Sequence, residues 1–264
     1  MPDKKRYLVD VGLDDFAFPF KVAGRGHPEG VPTVGKITVH ARINQEFEAR
    51  WIDRFAQVLH QHRDAVGSHS LKQGIADYLE ALHADSVQVS LRFPYFVEKT
   101  TPVSRLSCLV GHDCIYRAKL AAFDNEPKLT LTVEVPTLTT DPCSSLDRPG
   151  LLFAQRTLVT VEVASEIGMF VEDLVETVDR HALIPVYSFL TPEDKEHLVG
   201  LAHSRTVSSV VLAEAIKGCL APREDVDWYR VVCRNRGLLH LYSTEVSTEK
   251  GSWVPASDFA EAID

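Results

Sequence analysis

The chain has 264 residues, of which 45% are hydrophobic and 25% charged, and this composition excludes a disordered, low-complexity protein. Its formal net charge of -9 argues against nucleic-acid binding, because proteins that bind the phosphate backbone concentrate positive charge. The five cysteines are an odd number without CxxC spacing, which predicts neither a disulfide framework nor a zinc ribbon and fits a reducing cytoplasm. No apolar segment approaches the roughly 20 residues of a membrane span. We therefore expect a cytoplasmic globular protein with no nucleic-acid or membrane partner.

Hydrophobic periodicity in the first half predicts strands on either side of two helices. The predicted elements are a strand over 34–43, a helix from about Gln45 to His62, a helix through Leu71, Ile75, Leu79 and Leu82, and strands over 87–93 and 129–135. The two later strands alternate strictly between apolar and polar residues, as strands with one solvated face do. Pro136 is expected to end the last of them, because proline lacks a backbone N–H.

The second half repeats this order of elements. It comprises a strand over 158–163, a helix through Phe170, Leu174, Val175 and Val178, a helix that begins after Thr191, a helix over 207–220, and strands over 228–233 and 238–243. Thr191 followed by Pro192 is typical of a helix N-cap with proline at the first helical position. Helices grouped between strand pairs predict an antiparallel sheet covered by helices on one face. No glycine-rich phosphate loop opens a helix, which argues against a Rossmann or P-loop protein.

One segment is too particular for composition to explain, and it resembles the FPYF…K.APVS segment of the GTP cyclohydrolase IB family. It runs from Leu91 to Ser104 and reads LRFPYFVEKTTPVS. Further matching blocks follow the family's order and extend the resemblance over nearly the whole chain. They are Asp10-Val11-Gly12, Pro142-Cys143-Ser144 followed by Gln155-Arg156-Thr157, and Pro185 to Leu190.

The resemblance implies an α+β, bimodular tunnelling fold, with antiparallel sheets and helices on one face. Its first half would be residues 1–140 and its second half residues 141–264. Such chains assemble into an oligomeric barrel, so we expect a homo-oligomer, either a dimer or a tetramer. The family's active sites lie at subunit interfaces, where a metal-activated water attacks C8 of the guanine ring of a small-molecule substrate.

The family's metal ligands are altered in this chain. The position of its first cysteine holds Asp141, the position of its histidine holds Phe153, and the position of its glutamate holds Asp179, whereas its second cysteine is kept as Cys143. Asp141 and Asp179 are therefore the candidate metal ligands, and a divalent Zn, Mn or Fe ion would have an incomplete ligand set. The alternatives are that Asp141 caps a turn beside Pro142 and that Asp179 is a solvated helix residue.

Four residues are the catalytic candidates. His240 keeps the first histidine of the family's C-terminal motif and Tyr242 replaces the second, while Cys143 and Glu98 lie within matched blocks. A tyrosine hydroxyl can donate a hydrogen bond or act as an acid. His240 also fits a partly buried strand histidine, and Cys143 an inert buried thiol.

Six residues are candidates for binding the substrate: Glu193, Asp194, Arg156, Lys99, Phe153 and Trp51. Either Glu193 or Asp194 would hold the N–H edge of the heterocycle, and a one-residue gap leaves both open. The positively charged side chains of Arg156 and Lys99 suit the binding of anionic groups but also suit ion pairs with carboxylates of the protein. The two aromatic residues suit a planar ring but also suit a core.

The sequence thus predicts a GTP cyclohydrolase IB-like enzyme that acts on a purine-like or other planar heterocyclic substrate with a degenerate metal site. One alternative is a repurposed tunnelling-fold enzyme of specialised biosynthesis that performs metal-independent acid–base chemistry on an aromatic substrate. The other is a non-catalytic paralogue that binds pterin or purine. Both alternatives remain open at the level of the sequence.

Overall fold

The structure is a computed structural model that describes residues 8–44, 51–64, 66–142, 144, 153–165, 168–237 and 241–250. These residues form nine β-strands and five α-helices. In chain order the elements are β1 (Leu8–Gly24), β2 (His27–Asn44), α1 (Trp51–His62), α2 (Ser68–Ala81), β3 (Ala84–Thr100), β4 (Ser107–Ala121), β5 (Lys128–Thr140), β6 (Ala154–Ser165), α3 (Val171–His181), β7 (Ile184–Pro185), α4 (Pro192–Ser204), α5 (Ser209–Leu220), β8 (Val226–Arg236) and β9 (Ser243–Glu249). No helix in the described part of the chain is both long and apolar enough to cross a membrane.

The described residues fall into two compact units that interleave along the sequence. Unit 1 takes its described residues from Met1–Lys99, Leu109–Glu134 and Ile167–Val175. Unit 2 takes its described residues from Thr100–Cys108, Val135–Glu166 and Glu176–Asp264. The division of the chain into halves at residue 140 stays a prediction.

In unit 1 the strands follow the order β1-β2-β3-β4-β5, and helices α1 and α2 bury their apolar sides. The pairs β1–β2, β2–β3 and β4–β5 are antiparallel. Every second residue of β3 and β4 is buried, as expected for a sheet with one face on a core. Phe55 on α1 and Tyr78 on α2 are both buried, and their rings stack with centroids 5.3 Å apart. The two predicted helices are thus confirmed over their described residues, whereas 45–50 lie outside them.

In unit 2 the order is β5-β6-β8-β9, and the short β7 also pairs with β5. The pairs β6–β8 and β8–β9 are antiparallel. The predicted cap of α4 is confirmed, because the Thr191 hydroxyl accepts a hydrogen bond from the Asp194 N–H and Pro192 occupies the first helical position. Ser208 caps α5 in the same way through the N–H of Val211. Side-chain oxygens at both N-termini satisfy backbone N–H groups that the helix leaves unpaired.

Two predicted strand boundaries are wrong. Pro136 does not end β5, which continues to Thr140. The proline falls between the last residue that pairs with β4, Glu134, and the first that pairs with β7, Thr137, so these two ladders do not require its missing N–H. The strand predicted over 238–243 is wrong where it is described, because residues 241 and 242 form a bend and β9 begins at Ser243. Residues 238–240 lie outside the described residues.

Two long strands, β1 and β4, were not predicted from the sequence. The buried positions of β4 include Cys108, His112 and Cys114, which do not signal a strand by hydrophobicity alone. β1 buries few side chains along its first half, and its backbone pairing with β2 defines it instead. Backbone pairing with a neighbouring strand, β2 for β1 and β5 for β4, therefore determines these strands, rather than local apolar periodicity.

Candidate functional site

Asp194, at the start of α4, is fully buried and ties this helix to the loop that follows β3. Its Oδ1 accepts hydrogen bonds from the backbone N–H groups of Val103 and Ser104, both at 2.9 Å. Its Oδ2 accepts from the Ser104 hydroxyl at 2.7 Å and from the backbone and hydroxyl of Thr191 at 3.1 and 2.9 Å. The loop belongs to the TTPVS part of the matched segment, so this carboxylate holds that segment in place.

The same contacts fix the charge of Asp194. Burial by itself would raise the pKa of this carboxyl, but the hydrogen bonds from Ser104, Val103 and Thr191 outweigh burial and hold the pKa well below its ordinary value. The carboxylate is therefore ionised and already satisfied by protein donors. Glu193, the neighbouring residue, is exposed. Of the two carboxylates predicted to hold the heterocycle, the geometry leaves Glu193 accessible to a ligand and gives Asp194 a structural role.

Asp141 and Phe153 stand at the two ends of the β5–β6 connection and are hydrogen-bonded to each other. The backbone N–H of Asp141 donates to the carbonyl of Phe153 at 2.8 Å. The Ser144 hydroxyl donates to the same carbonyl at 3.0 Å and accepts from the Phe153 N–H at 2.7 Å. Asp141 is buried and Phe153 is half-buried. Cys143 belongs to this connection but lies outside the described residues.

Asp179 lies in the last part of α3, near Tyr187 of the matched Pro185–Leu190 block. Burial raises the pKa of the Tyr187 phenol, and the carboxylate of Asp179, the thiol of Cys108 and the carboxylate of Asp194 raise it further. The phenol is thus a protonated hydrogen-bond donor in an acidic environment. Tyr187 was not predicted as a site residue, although it stands in the centre of a matched block.

A ladder of buried polar side chains crosses the strands of unit 2 next to Asp141. The Gln155 amide donates to the Thr139 hydroxyl at 3.2 Å, and the Thr139 and Thr157 hydroxyls lie 2.7 Å apart. The Thr157 hydroxyl donates to Oδ1 of Asn235 at 2.8 Å, and the Asn235 amide donates to the Ser209 hydroxyl at 3.0 Å. Because hydrogen bonds between buried polar groups are directional, the ladder fixes the positions of β5, β6, β8 and α5 relative to one another.

Three predicted residues belong to unit 1. Trp51 is half-buried at the first position of α1, while Glu98 is exposed and Lys99 is buried near the end of β3.

His112 on β4 is 2% exposed, and its Nδ1 lies 3.2 Å from the carbonyl of Glu134. Burial and the nearby positive charge of Lys99 lower the pKa of the His112 imidazole to about 4, so this imidazole is neutral at pH 7.

The remaining predicted residues lie on or beyond β6 and β8. Arg156 is exposed on β6, and Tyr242 is exposed in the bend before β9. His240 lies outside the described residues.

The described residues do not by themselves form a metal site. They contain no group of three or more His, Cys, Asp or Glu side chains arranged to hold an ion. Phe153 contributes only a carbonyl and a phenyl ring at the position where the family has an imidazole, and its carbonyl accepts two hydrogen bonds. A phenyl ring is not a ligand for Zn, Mn or Fe. No chemical step is therefore assigned to a metal.

The fold is similar to that of solved urate-oxidising enzymes. The uricase from Arthrobacter globiformis matches with a TM-score of 0.52 at 8% identity, over 96% of this chain and 98% of that one. The urate oxidase from Bacillus sp. TB-90 matches with a TM-score of 0.57 at 7% identity, over 92% of this chain and 99% of that one. At such identities the similarity concerns the fold alone. The prediction of an α+β tunnelling fold is confirmed.

Sequence comparisons identify the family. The GTP cyclohydrolase FolE2 of Citrifermentans bemidjiense is 28% identical over 243 residues, which cover 91% of this chain and 88% of the relative. The GTP cyclohydrolase FolE2 of Syntrophotalea carbinolica is 28% identical over 250 residues, covering 94% and 92%. A model of the family described as type I GTP cyclohydrolase folE2 matches residues 1–244. The chain therefore belongs to the type I GTP cyclohydrolase folE2 family.

Proposed function

We propose that this protein is a GTP cyclohydrolase-type enzyme that acts on a purine substrate, with GTP as the first candidate. The observation that carries the proposal is the family match over residues 1–244, which spans both compact units. The match favours this function over a repurposed enzyme for another aromatic substrate and over a non-catalytic paralogue. In the reaction, water adds to C8 of the purine and one ring C–N bond breaks, with a proton passing to the departing nitrogen. A second water then hydrolyses the remaining bond between C8 and nitrogen, this nitrogen also takes up a proton, and C8 leaves as formate.

Glu193 is the proposed anchor for the N–H edge of the base. It is exposed at the first turn of α4, where the adjacent Asp194 clamp fixes the helix end on the Val103–Ser104 loop. A carboxylate that accepts two N–H groups of a planar ring needs this kind of rigid support. The clamp supplies the support without using the Glu193 side chain.

The proton transfers require groups that donate, accept or keep protons next to the reacting ring. Tyr187, which keeps its proton, is an additional proposed donor to developing negative charge. His240, Cys143, Tyr242 and Glu98 remain the proposed acid–base candidates from the sequence.

Other features of the proposal follow the family resemblance. Arg156 and Lys99 are proposed to bind anionic groups, and Phe153 and Trp51 to face the ring. Asp141 and Asp179 remain proposed ligands for a divalent Zn, Mn or Fe ion, in a set that the described residues leave incomplete. We also propose a homo-oligomer with interfacial sites in the cytoplasm.

The decisive experiment measures GTP consumption by the purified protein, after chelation and after addition of Zn, Mn or Fe. We expect turnover in at least one condition, with release of C8 detected as formate. Glu193→Gln should raise KM by about tenfold or more, since it removes a charge-assisted acceptor. The matched control, Glu196→Gln, changes another exposed glutamate of α4 and should leave KM unchanged. Absence of GTP turnover in every metal condition would remove the proposed function.

A further inference from the structure

One face of β8 carries Arg230, Arg234 and Arg236, and the first two lie opposite acidic residues. Arg230 is directly opposite Glu162 of β6 and Glu249 of β9. Arg234 is opposite Glu245 of β9, and the two side chains form an ion pair at 3.3 Å. Directly opposite residues project to the same face of a sheet, and opposite charges there stabilise the pairing. Charge is thus matched along this part of the face.

The matching fails at Arg236, the last residue of β8. Its opposite residues are Arg156 on β6 and Ser243 on β9. Both arginines are exposed, and within the described ranges neither forms an ion pair or a side-chain hydrogen bond. Opposite residues of an antiparallel pair have Cα atoms about 4.5 to 5.5 Å apart. Two positive side chains are therefore held side by side, an arrangement that destabilises a sheet unless an anion is bound there.

The backbone beneath the two arginines is rigidly held. Thr157 follows Arg156 and Asn235 precedes Arg236, and the Thr157 hydroxyl donates to the Asn235 side chain at 2.8 Å. Thr139 on β5 extends the same buried ladder at 2.7 Å from Thr157. The positions of the two arginines on neighbouring strands are consequently fixed before any ligand arrives. Binding sites on such strands lose less conformational entropy on binding than sites on loops.

We propose that Arg156 and Arg236 form a phosphate-binding pair that takes the polyphosphate of the nucleotide substrate. Two guanidinium groups present planar sets of N–H donors that match phosphate oxygens, and their always-present charge suits a polyanion. Arg156 lies three residues after Phe153, which packs at the Asp141 turn of the proposed site. The identity of the nucleotide rests on the proposed function, whereas the anion-binding property does not.

Equilibrium binding of GTP, guanosine and inorganic tripolyphosphate to the full chain tests the proposal. Arg156→Gln and Arg236→Gln should each weaken binding of GTP and of tripolyphosphate about tenfold or more and leave guanosine binding unchanged. The control Arg234→Gln removes a charge from the same strand face but from a pair neutralised by Glu245, and should weaken GTP binding less than about threefold. Equal losses for Arg236→Gln and Arg234→Gln would overturn the site.

The three ligands also separate the possible sources of the phosphate. If the variants weaken tripolyphosphate binding but leave GTP binding unchanged, the assignment to the nucleotide is overturned and a free phosphate compound occupies the pair. If wild-type protein turns over no GTP but still binds tripolyphosphate through both arginines, the proposed function fails and the anion site stands. Intact turnover with an unchanged KM in Arg236→Gln would overturn the anion site and retain the function.

Thermal unfolding without ligand supplies a readout that is independent of activity. Because Arg156 and Arg236 repel each other, Arg236→Gln should unfold at a temperature equal to or higher than that of the wild type. Added tripolyphosphate should raise the unfolding temperature of the wild type more than that of the variant. A variant that unfolds earlier than the wild type and gains as much from tripolyphosphate would contradict the pair's role.

Discussion

Thr157→Val tests whether the buried ladder of unit 2 holds its strands together. Thr157 is 2% exposed, donates to Asn235 at 2.8 Å and lies 2.7 Å from the hydroxyl of Thr139, which is 0% exposed. Valine has nearly the same shape, so the change creates little cavity and removes mainly the hydroxyl. Oδ1 of Asn235 and the Thr139 hydroxyl would each lose a partner in a buried environment, at about 1 to 3 kcal/mol per group. We expect a loss of about 2 to 6 kcal/mol in the free energy of unfolding.

The measurement is urea unfolding followed by circular dichroism, at one protein concentration and without ligand, so that association and binding do not change between variants. The matched control is Thr160→Val on the same strand, which faces the opposite side of β6 and is only half-buried. It should change the free energy of unfolding by less than about 0.5 kcal/mol. Equal effects of the two substitutions would refute the role of the ladder.

Two further predictions concern pH. The pKa of Asp194 is lowered in the folded state, so its contribution to stability is complete above the unfolded value of 3.8 and is lost as pH falls through the folded value. In thermal unfolding from pH 5 downward, Asp194→Ala should therefore start less stable and lose less stability than the wild type; parallel curves would contradict the clamp. The pKa of His112 is lowered from 6.5 to about 4, so its neutral form contributes stability above pH 6.5 that is lost as pH falls toward 4. His112→Gln should flatten that decline by on the order of 3 kcal/mol, and an unchanged slope would contradict the buried neutral state.

Much of the fold was predictable because its signals are local. The alternation over 87–93 identifies β3, and the Thr191-Pro192 pair identifies the start of α4, since each depends on residues within one strand or one helical turn. The family resemblance likewise depends on short blocks in a fixed order. β4 was not predicted, because its buried face includes histidine and cysteine and the burial of these residues depends on the neighbouring strands.

The sequence indicates candidate site positions through the family resemblance, and both the site and the roles of its residues stay predictions. Asp141 and Phe153 were selected by their spacing in the sequence, and in the structure the Asp141 N–H donates to the Phe153 carbonyl. The sequence does not distinguish Glu193 from Asp194 as the residue that would hold the heterocycle, because the two are adjacent and both acidic. Only the folded loop around Ser104, some 90 residues earlier, satisfies one carboxylate and leaves the other exposed.

By itself, the sequence determined the family, the main helices and strands, and the altered positions of the metal-binding motif, because these depend on residue identity and short-range periodicity. Tertiary structure decided which groups meet. Arg156 and Arg236 are 80 positions apart and become neighbours only through the antiparallel register of β6 and β8. A shift of that register by one residue would move one arginine to the opposite face of the sheet. Charge pairing across strands is therefore a property of the fold.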